Sequence, residues 1–343
     1  MSKTRMETHL FRLPVYGDVL GLNKNYHIFS NGKLSADQSV FRFDSDERKM
    51  TRIPVESVSS FDLYGGITVT SGALTLAVKH NVCLHLFGYY GNYLGTFWPK
   101  ETYFSGDLTI KQSLIYADYR HRVSLSMTLL DGIERNMVAL LRKFGGDAKD
   151  LLFTPTDNTI ESLMLSEARM RRIYYTRLDE LLPDDFKIGN REKRPPSNYG
   201  NSLLSFGNSL LYSEFVTQAR KTSVNITIPF YHSPESGRFA LSLDLSEIFK
   251  PGLVDRFILS LVKQGMIKAT SDHFHDVGNG ILLNEKGKKI FVENWENWLE
   301  SASYNQRLKR KVSHRELIRM EIHKYSKEVE GIEDYKPIRL PAD

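Results

Sequence analysis

The hydrophobic pattern of the chain changes near residue 104, and this change restricts the possible folds more than any other feature. Between Tyr26 and Pro99, short apolar runs alternate with polar residues, which is typical of β-strands. From Asp107 onward the apolar residues recur at helical spacing, and no proline interrupts the chain before Pro155. The sequence therefore predicts an α+β fold with a β-rich, sandwich-like first part and a larger, all-α second part.

The length of 343 residues agrees with two domains, because a chain of this size exceeds what one small core organises. Its composition, with 41% hydrophobic and 25% charged residues, is typical of globular proteins. We predict a β-rich N-terminal domain over residues 1–104, of which residues 1–23 show no clear pattern, and a helical C-terminal domain over residues 105–343. Residues 301–343 form a basic and polar tail, for which an ordered helix, a DNA contact and a flexible end all stay open.

The charge balance gives only a weak indication of partners. Lysine and arginine (46) outnumber aspartate and glutamate (41), so the net charge of +5 mildly favours anionic partners. Cys83 is the only cysteine, which excludes an intrachain disulfide and a cysteine-based zinc site. No apolar run is long enough to span a bilayer, and the first residues lack the apolar core of a secretory signal. We therefore expect a cytoplasmic protein that makes no membrane contact.

The stretch from Thr222 to Pro251 places three polar side chains in apolar surroundings. His232 precedes a turn rich in proline, serine and glycine, and a helical segment follows the turn. Asp244 and Glu247 are three residues apart on that helix and therefore share one face. A carboxylate among apolar residues is costly to bury unless a cation compensates it, and both a divalent metal and an arginine could do so.

Glu167 is the second unusual acid. The apolar stripe of its predicted helix contains Leu163, Met170 and Tyr174, and Glu167 occupies a position of that stripe where a hydrophobic residue is expected. Two interpretations stay open: a carboxylate that pairs with an arginine inside a helical bundle, or a metal ligand that points into the bundle. The nearby arginines are expected to lie mostly on other faces of the helix.

Together, Glu167, His232, Asp244 and Glu247 would form a site with mostly oxygen ligands and one imidazole. Oxygen ligands suit Mg²⁺ and Mn²⁺, and the imidazole favours Mn²⁺ over Mg²⁺. Such a metal can polarise a phosphoryl oxygen and stabilise the attacking or leaving oxygen of a phosphodiester. A single histidine before a turn is also common as a structural residue, so a structural role for His232 stays open.

Basic residues cluster on the helix of Glu167 and in the loop that follows it. Each phosphate that such a residue neutralises releases counterions and adds sequence-independent affinity for DNA. A solvated helix face is the alternative interpretation of each cluster. The candidate DNA contacts are Arg169, Arg171, Arg172, Lys187, Arg191, Lys193 and Arg194.

Four motifs in combination resemble one known family. They are Tyr89–Glu101, Asn201–Leu211, His232 with Asp244–Pro251, and Gly280–Gly287. The chain is similar over about residues 25–300 to CRISPR-associated protein one, the metal-dependent endonuclease and integrase of spacer acquisition.

The resemblance implies roles for individual residues. Glu167, His232 and Glu247 would be the metal ligands of a Mg²⁺ or Mn²⁺ site, and Asp244 would support them in catalysis. Two positions depart from the pattern of the family: Ala168 replaces a glycine, and Lys250 replaces an arginine. Lysine cannot form the bidentate contact of arginine with phosphate, but it can still contact DNA as a point charge.

The resemblance also implies an N-terminal dimerisation domain and a C-terminal catalytic domain. The partners that it implies are a second copy of the chain, a dimer of CRISPR-associated protein two, double-stranded DNA fragments and the CRISPR repeat. The reaction would be phosphoryl transfer, in which the 3′-hydroxyl of a fragment attacks a phosphodiester at the edge of the repeat. Two alternatives stay open: a catalytically inactive DNA-binding scaffold of the same fold, and a helical protein-interaction module whose acids only pair with arginines.

Overall fold

The computed structural model describes residues 15–16, 19–22, 25–46, 50–99, 105–192, 195–234, 239–305 and 308–340. The strands are β1 (Val15–Tyr16), β2 (Val19–Leu22), β3 (Asn25–Ile28), β4 (Gly32–Asp37), β5 (Val40–Ser45), β6 (Thr51–Pro54), β7 (Ser60–Leu63), β8 (Ile67–Val69), β9 (Cys83–Phe87), β10 (Tyr93–Phe97), β11 (Phe274–Asp276), β12 (Ile281–Leu283), β13 (Ala302–Asn305) and β14 (Arg310–Ser313). The helices are α1 (Ser71–His80), α2 (Gly106–Ala117), α3 (Tyr119–Lys143), α4 (Ile160–Asp179), α5 (Tyr199–Ala219), α6 (Ala240–Glu247), α7 (Arg256–Lys263), α8 (Glu285–Glu300) and α9 (His314–Val329). Short 3₁₀ turns at Val55–Ser57 and Asp184–Phe186 and a π-helical segment at Lys250–Asp255 complete them.

Two mixed sheets form the first part of the chain. One has the order β1-β2-β3-β7-β9-β10, and the other has the order β6-β5-β4-β8. Parallel pairing of β3 with β7 and of β7 with β9 sets Asn25 opposite Ser60 and Ser60 opposite Cys83. One apolar core contains residues of both sheets and of α1, among them Phe41 and Phe61, whose rings meet edge to face. The predicted sheet-rich first part is confirmed.

Helix α5 lies at the centre of the second part. Most of its residues are buried and none is exposed, which is typical of a helix surrounded by other elements. Gly207 permits close packing there, since a Cβ atom at this position would lie 2.9 Å from Val254 and 3.2 Å from Phe291. The predicted helical character of this part is confirmed.

The second part is not purely helical, because it also contains the hairpins β11–β12 and β13–β14. The prediction of an all-α second part was wrong in this respect. Strands of three or four residues are too short to produce a readable period, and tertiary packing stabilises them. The ring of Phe274 in β11, for example, lies 4.8 Å from the ring of Tyr199 at the start of α5.

The expected tail after residue 301 contains an ordered helix, α9. The side chain of Ser313 accepts a hydrogen bond from the Glu316 amide at its start, which is typical of a helix N-cap. Leu317, Ile318 and Tyr325 are buried in the main core. The ordered helix is therefore confirmed for His314–Val329, while a DNA contact of this segment stays a prediction. The polar sequence of this helix includes a narrow apolar face.

The sheets and the helices pack directly against each other through a group of aromatic rings. Tyr64 stacks on Phe29 and Phe87 at centroid distances of 4.7 and 4.6 Å, and it also contacts Phe206 of α5 at 5.9 Å. The predicted domain boundary near residue 104 falls on residues 100–104, which lie outside the described part, so it stays a prediction. Within the described ranges, no helix has the length and apolar character of a membrane span.

Candidate active site

Asp244 organises the loop that carries His232. It is fully buried on α6, and its carboxylate accepts hydrogen bonds from the backbone amides of Phe230, Tyr231 and His232 at 2.7, 2.9 and 3.0 Å. A carboxylate that accepts several backbone N–H groups is held firmly and in turn fixes the conformation of the loop. Asp244 therefore acts as a structural anchor beneath the site.

The same carboxylate orients the imidazole of His232. The Nδ1 atom of His232 lies 2.7 Å from Oδ1 of Asp244, so the Nδ1–H group donates to the carboxylate and Nε2 faces away from it. Burial lowers the pKa of His232, but Asp244, together with Glu247 and Glu167, outweighs this effect and leaves the pKa above its ordinary value. The His232 side chain is 33% exposed, so the imidazole ring borders an accessible space.

Glu167 and Glu247 come together around a single guanidinium group. Arg171 donates from Nε to Oε1 of Glu167 at 2.6 Å and from Nη2 to Oε2 of Glu247 at 2.5 Å. The hydroxyl of Tyr231 donates to the other oxygen of Glu167 at 2.5 Å, and Lys250 donates to the other oxygen of Glu247. Each of the four carboxylate oxygens therefore faces a donor from the chain itself.

The charges of this group balance, since two carboxylates meet one guanidinium and one ammonium. Burial raises the pKa of Glu247, but Lys250, Arg171 and His232 together lower it to about 2. Burial and the adjacent Glu167 raise the pKa of the Tyr231 hydroxyl, so this group stays a donor. At neutral pH Glu247 is ionised and attracts cations.

In the structure Glu167 forms an ion pair with Arg171, as one of the two interpretations expected, and its role as a metal ligand stays a prediction. We expected the nearby arginines to lie mostly on other faces of the helix, which was wrong for Arg171. Positions 167 and 171 are four residues apart and share a helix face, so this signal was readable in the sequence. Tyr231 was also missed, because a tyrosine among apolar residues has no distinctive local pattern.

The metal site stays a prediction. Among the described residues, no group of three or more His, Cys, Asp or Glu side chains is close enough to hold a metal ion. The donors nevertheless fit Mg²⁺ or Mn²⁺, because Glu167 and Glu247 already share one cationic group and the second nitrogen of His232 is not the one bound to Asp244. The guanidinium group of Arg171 lies between the two carboxylates, at the place where a bound cation would be shared by them.

The candidate DNA contacts on α4 and in the following loop differ in exposure. Arg169 and Arg172 are exposed, and Lys187 is half exposed and forms an ion pair with Asp184. Arg191 is held against α5 by hydrogen bonds from its guanidinium to Asn201 and Ser205.

The remaining predicted contacts are less available or cannot be placed. Arg171 and Lys250 are engaged with the glutamates described above. Lys193 and Arg194 lie outside the described residues. The exposed side chains of Arg169, Arg172 and Lys187 therefore remain as the accessible positive charges of this group.

Comparisons with known proteins point to one family. The family model described as CRISPR associated protein Cas1 matches residues 26–297. A Methanobrevibacter ruminantium protein named CRISPR-associated protein Cas1 1 is 39% identical over 317 residues, which cover 92% of this chain and 98% of the relative. A Pyrococcus horikoshii protein named CRISPR-associated endonuclease Cas1 is 38% identical over 314 residues, covering 91% of this chain and 97% of the relative. The solved structure of a Cas1 protein from Thermotoga maritima has a TM-score of 0.85 and 32% identity, and it covers 92% of this chain and 100% of its own.

Proposed function

Because the chain belongs to the Cas1 family of CRISPR-associated proteins, we propose that it is a metal-dependent DNA endonuclease and integrase that inserts DNA fragments as spacers into a CRISPR array. One observation carries the proposal for this particular chain. Two carboxylates from separate helices converge on one cation beside an imidazole whose ring is already oriented. This arrangement is suited to a divalent ion and to a phosphodiester substrate.

Glu167, Glu247 and Nε2 of His232 are the groups that would hold Mg²⁺ or Mn²⁺. When bound, the ion would polarise a phosphoryl oxygen and stabilise the attacking or leaving oxygen of the transfer. Asp244 would not need to touch the ion, because it keeps Nδ1 of His232 protonated and the ring in place. Tyr231 would orient Glu167 through the hydroxyl that already donates to it.

Arg171 and Lys250 would then exchange partners. Both now neutralise carboxylates, and both are cations of the kind that binds phosphate oxygens. Around them, the exposed side chains of Arg169, Arg172 and Lys187 would contact the DNA backbone without reading its sequence. The proposed substrates are double-stranded fragments and the CRISPR repeat.

The proposed assembly and location rest on family membership alone. The chain would form a homodimer through its sheet-rich part, residues 1–104, while residues 105–343 would carry catalysis. Two such dimers would flank a dimer of CRISPR-associated protein two. The assembly would work in the cytoplasm, where the array is located.

A catalytically inactive DNA-binding scaffold is the second candidate function, and one observation favours it. Every carboxylate oxygen of Glu167 and Glu247 is already engaged by Arg171, Tyr231 or Lys250. A site whose ligands are permanently neutralised in this way would bind DNA and no metal.

A fragment-integration assay in the presence of Mn²⁺ distinguishes the two candidates. We expect His232→Ala and Glu247→Gln each to lower the rate of strand joining by at least about a hundredfold, because each removes a proposed ligand. Glu293→Gln, at an exposed position of α8, is the matched control and should keep the rate of the unmodified protein. DNA affinity is measured in parallel. If neither the unmodified protein nor Glu293→Gln integrates fragments while both bind DNA, the scaffold function would be established.

A further inference from the structure

A preformed groove lies outside the candidate active site. It has a volume of about 530 Å³ and runs between the C-terminal half of α3, the following loop and residues 339–340. Its lining consists of Glu134, Arg135, Asn136, Val138, Ala139, Arg142, Ala148, Lys149, Leu151, Leu152, Arg339 and Leu340. A volume of this size is typical of sites for small ligands or for a few residues of a peptide.

The walls of the groove are held by hydrogen bonds between distant parts of the chain. The side-chain amide of Asn136 donates to the carbonyl groups of Ile248 and Ile338 at 3.0 and 3.2 Å, and its oxygen accepts from the Leu340 amide at 3.2 Å. On the other side, Glu134 accepts from the Phe153 amide at 3.1 Å. The groove therefore exists before any ligand binds, which reduces the entropic cost of binding.

The rim of the groove is strongly basic. Arg135, Arg142, Lys149 and Arg339 are all exposed, and Glu134 is the only acidic residue among the described residues of the lining. Asp131 lies near Arg135, and Asp147 lies near Lys149. Within the described residues, neither Arg142 nor Arg339 forms a hydrogen bond or an ion pair through its side chain.

The floor of the groove is apolar. Leu151 and Leu340 are buried, and Val138 and Ala139 are half-buried on α3. Leu152 is 57% exposed, although it lies beside these residues. An exposed leucine next to other apolar residues and inside a ring of cations favours a ligand that has both apolar groups and negative charge.

We propose that this groove binds a short acidic segment of a partner protein, in which apolar side chains alternate with aspartate or glutamate. The carboxylates would pair with the free guanidinium groups of Arg142 and Arg339, and an apolar side chain would cover Leu152. Arginine is the cation best suited to such pairs, because its planar donors match a carboxylate in bidentate geometry.

Other occupants fit the groove less well. None of its lining residues in the described part of the chain is aromatic, so unstacked bases of a single strand would have no ring there to stack on, and a phosphate backbone offers nothing apolar to Leu152. The N-terminal segment of this chain, residues 1–14, carries three basic residues and one acidic residue, so its charge is of the wrong sign. The partner is therefore expected to be another protein.

Fluorescence anisotropy of the full-length chain with labelled probes tests the proposal. The probe is an octapeptide of alternating aspartate and leucine, and the comparison probes are an aspartate–serine octapeptide and an oligothymidylate of equal length. We expect the aspartate–leucine peptide to bind most tightly and to lose at least about tenfold in affinity with Arg142→Glu combined with Arg339→Glu. The control, Lys79→Glu combined with Lys268→Glu, makes the same charge change at exposed positions outside the groove and should leave the affinity within about twofold.

A labelling experiment locates the peptide. Leu152→Cys adds an accessible thiol, whereas the native Cys83 is fully buried and unreactive. We expect the aspartate–leucine peptide to slow maleimide labelling of this variant at least about fivefold. The proposal is wrong if the peptide fails to bind at about 1 mM, if it binds equally after the charge reversal, or if the oligothymidylate binds as tightly and protects the thiol equally.

Discussion

Two arginines in this protein each bridge a pair of glutamates, and the comparison separates a structural cluster from a candidate active site. Arg171 joins Glu167 and Glu247 between α4 and α6, while Arg315 joins Glu214 and Glu296 at 2.5 Å each and also pairs with the more exposed Glu300 at 2.7 Å. Glu214 and Glu296 are 4% and 2% exposed, against 14% and 10% for Glu167 and Glu247. Both arginines thus bridge two carboxylates, and the surroundings of the two pairs differ.

The cluster of Arg315 connects the sheets with the helices. The side chain of Asn25 in β3 donates to both Glu214 and Glu296, and His27 of the same strand lies within 3.5 Å of Glu296. An enclosed space of about 10 Å³ beside them has room for about one water molecule. Within the described residues, His27, Glu214 and Glu296 are buried and only Glu300 is partly exposed, so this closed cluster offers a substrate no access to its bridged carboxylates.

The difference teaches that an arginine bridging two carboxylates is not evidence of catalysis on its own. Around Arg171, the partly exposed His232 borders the pair, and Asp244 fixes its ring. Access to solvent and a histidine with one oriented nitrogen distinguish the candidate active site from the closed cluster.

Removal of the bridging arginine should have its largest effect in the closed cluster. We expect Arg315→Met to lower the free energy of unfolding by about 3 to 5 kcal/mol, because it leaves Glu214 and Glu296 buried without their main counter-ion. Arg171→Met should cost only about 1 to 2 kcal/mol, because Lys250 still neutralises Glu247. Urea unfolding of both variants measures the difference.

Arg310→Met is the control for the two stability measurements. Arg310 is also paired with a glutamate, but it is half exposed, and surface pairs contribute only about 0 to 1 kcal/mol. Equal losses for Arg171→Met and Arg315→Met would remove the distinction between the two clusters.

Acid–base behaviour should also separate the clusters, since Asp62 belongs to the closed one. Burial raises the pKa of Asp62 to about 7, with the lowering effect of His27 opposed by Glu296 and Glu214. Other groups that face Asp62 are Arg315 and Tyr64. Because Asp62 binds a proton more tightly in the folded than in the unfolded chain, its contribution to stability is present at low pH and is lost as the pH rises from about 4 to 7.

In the unmodified protein, this loss lowers the free energy of unfolding between pH 4.5 and pH 7. We therefore expect the decrease over this range to be smaller by about 2 kcal/mol in Asp62→Asn. Chemical unfolding at a series of pH values gives this slope independently of any constant loss caused by the substitution. Asp272→Asn, whose side chain is 76% exposed, provides the control and should keep the original slope. An unchanged slope in Asp62→Asn would mean that this carboxyl group is ionised throughout the range.

The sheet-rich first part and the helix-rich second part were predictable from the sequence, because the local periodicity of apolar residues determines the type of secondary structure. The position of Glu167 in an apolar stripe and the shared face of Asp244 and Glu247 followed from helical spacing, and both are confirmed. The closed cluster was not predictable, because Asn25 and Glu296 are 271 positions apart and their contact depends on the complete tertiary structure. The short hairpins of the second part were missed for a different reason, because strands of three or four residues are too short to show a readable period.

The smallest expected effect is a change in Mn²⁺ affinity, and its measurement tests whether Arg171 competes with a metal ion for the carboxylates of Glu167 and Glu247. If it does, Arg171→Met should tighten Mn²⁺ binding by about tenfold, equivalent to about 1.4 kcal/mol, because the ion no longer has to displace a guanidinium. Electron paramagnetic resonance of free Mn²⁺ measures the affinity without relying on catalysis, and Arg310→Met should leave it unchanged. Glu247→Gln should weaken binding, since it removes a ligand. An unaltered affinity in Arg171→Met would refute the competition alone, whereas an unaltered affinity in Glu247→Gln would refute the metal site and make the two clusters alike in function as well as in chemistry.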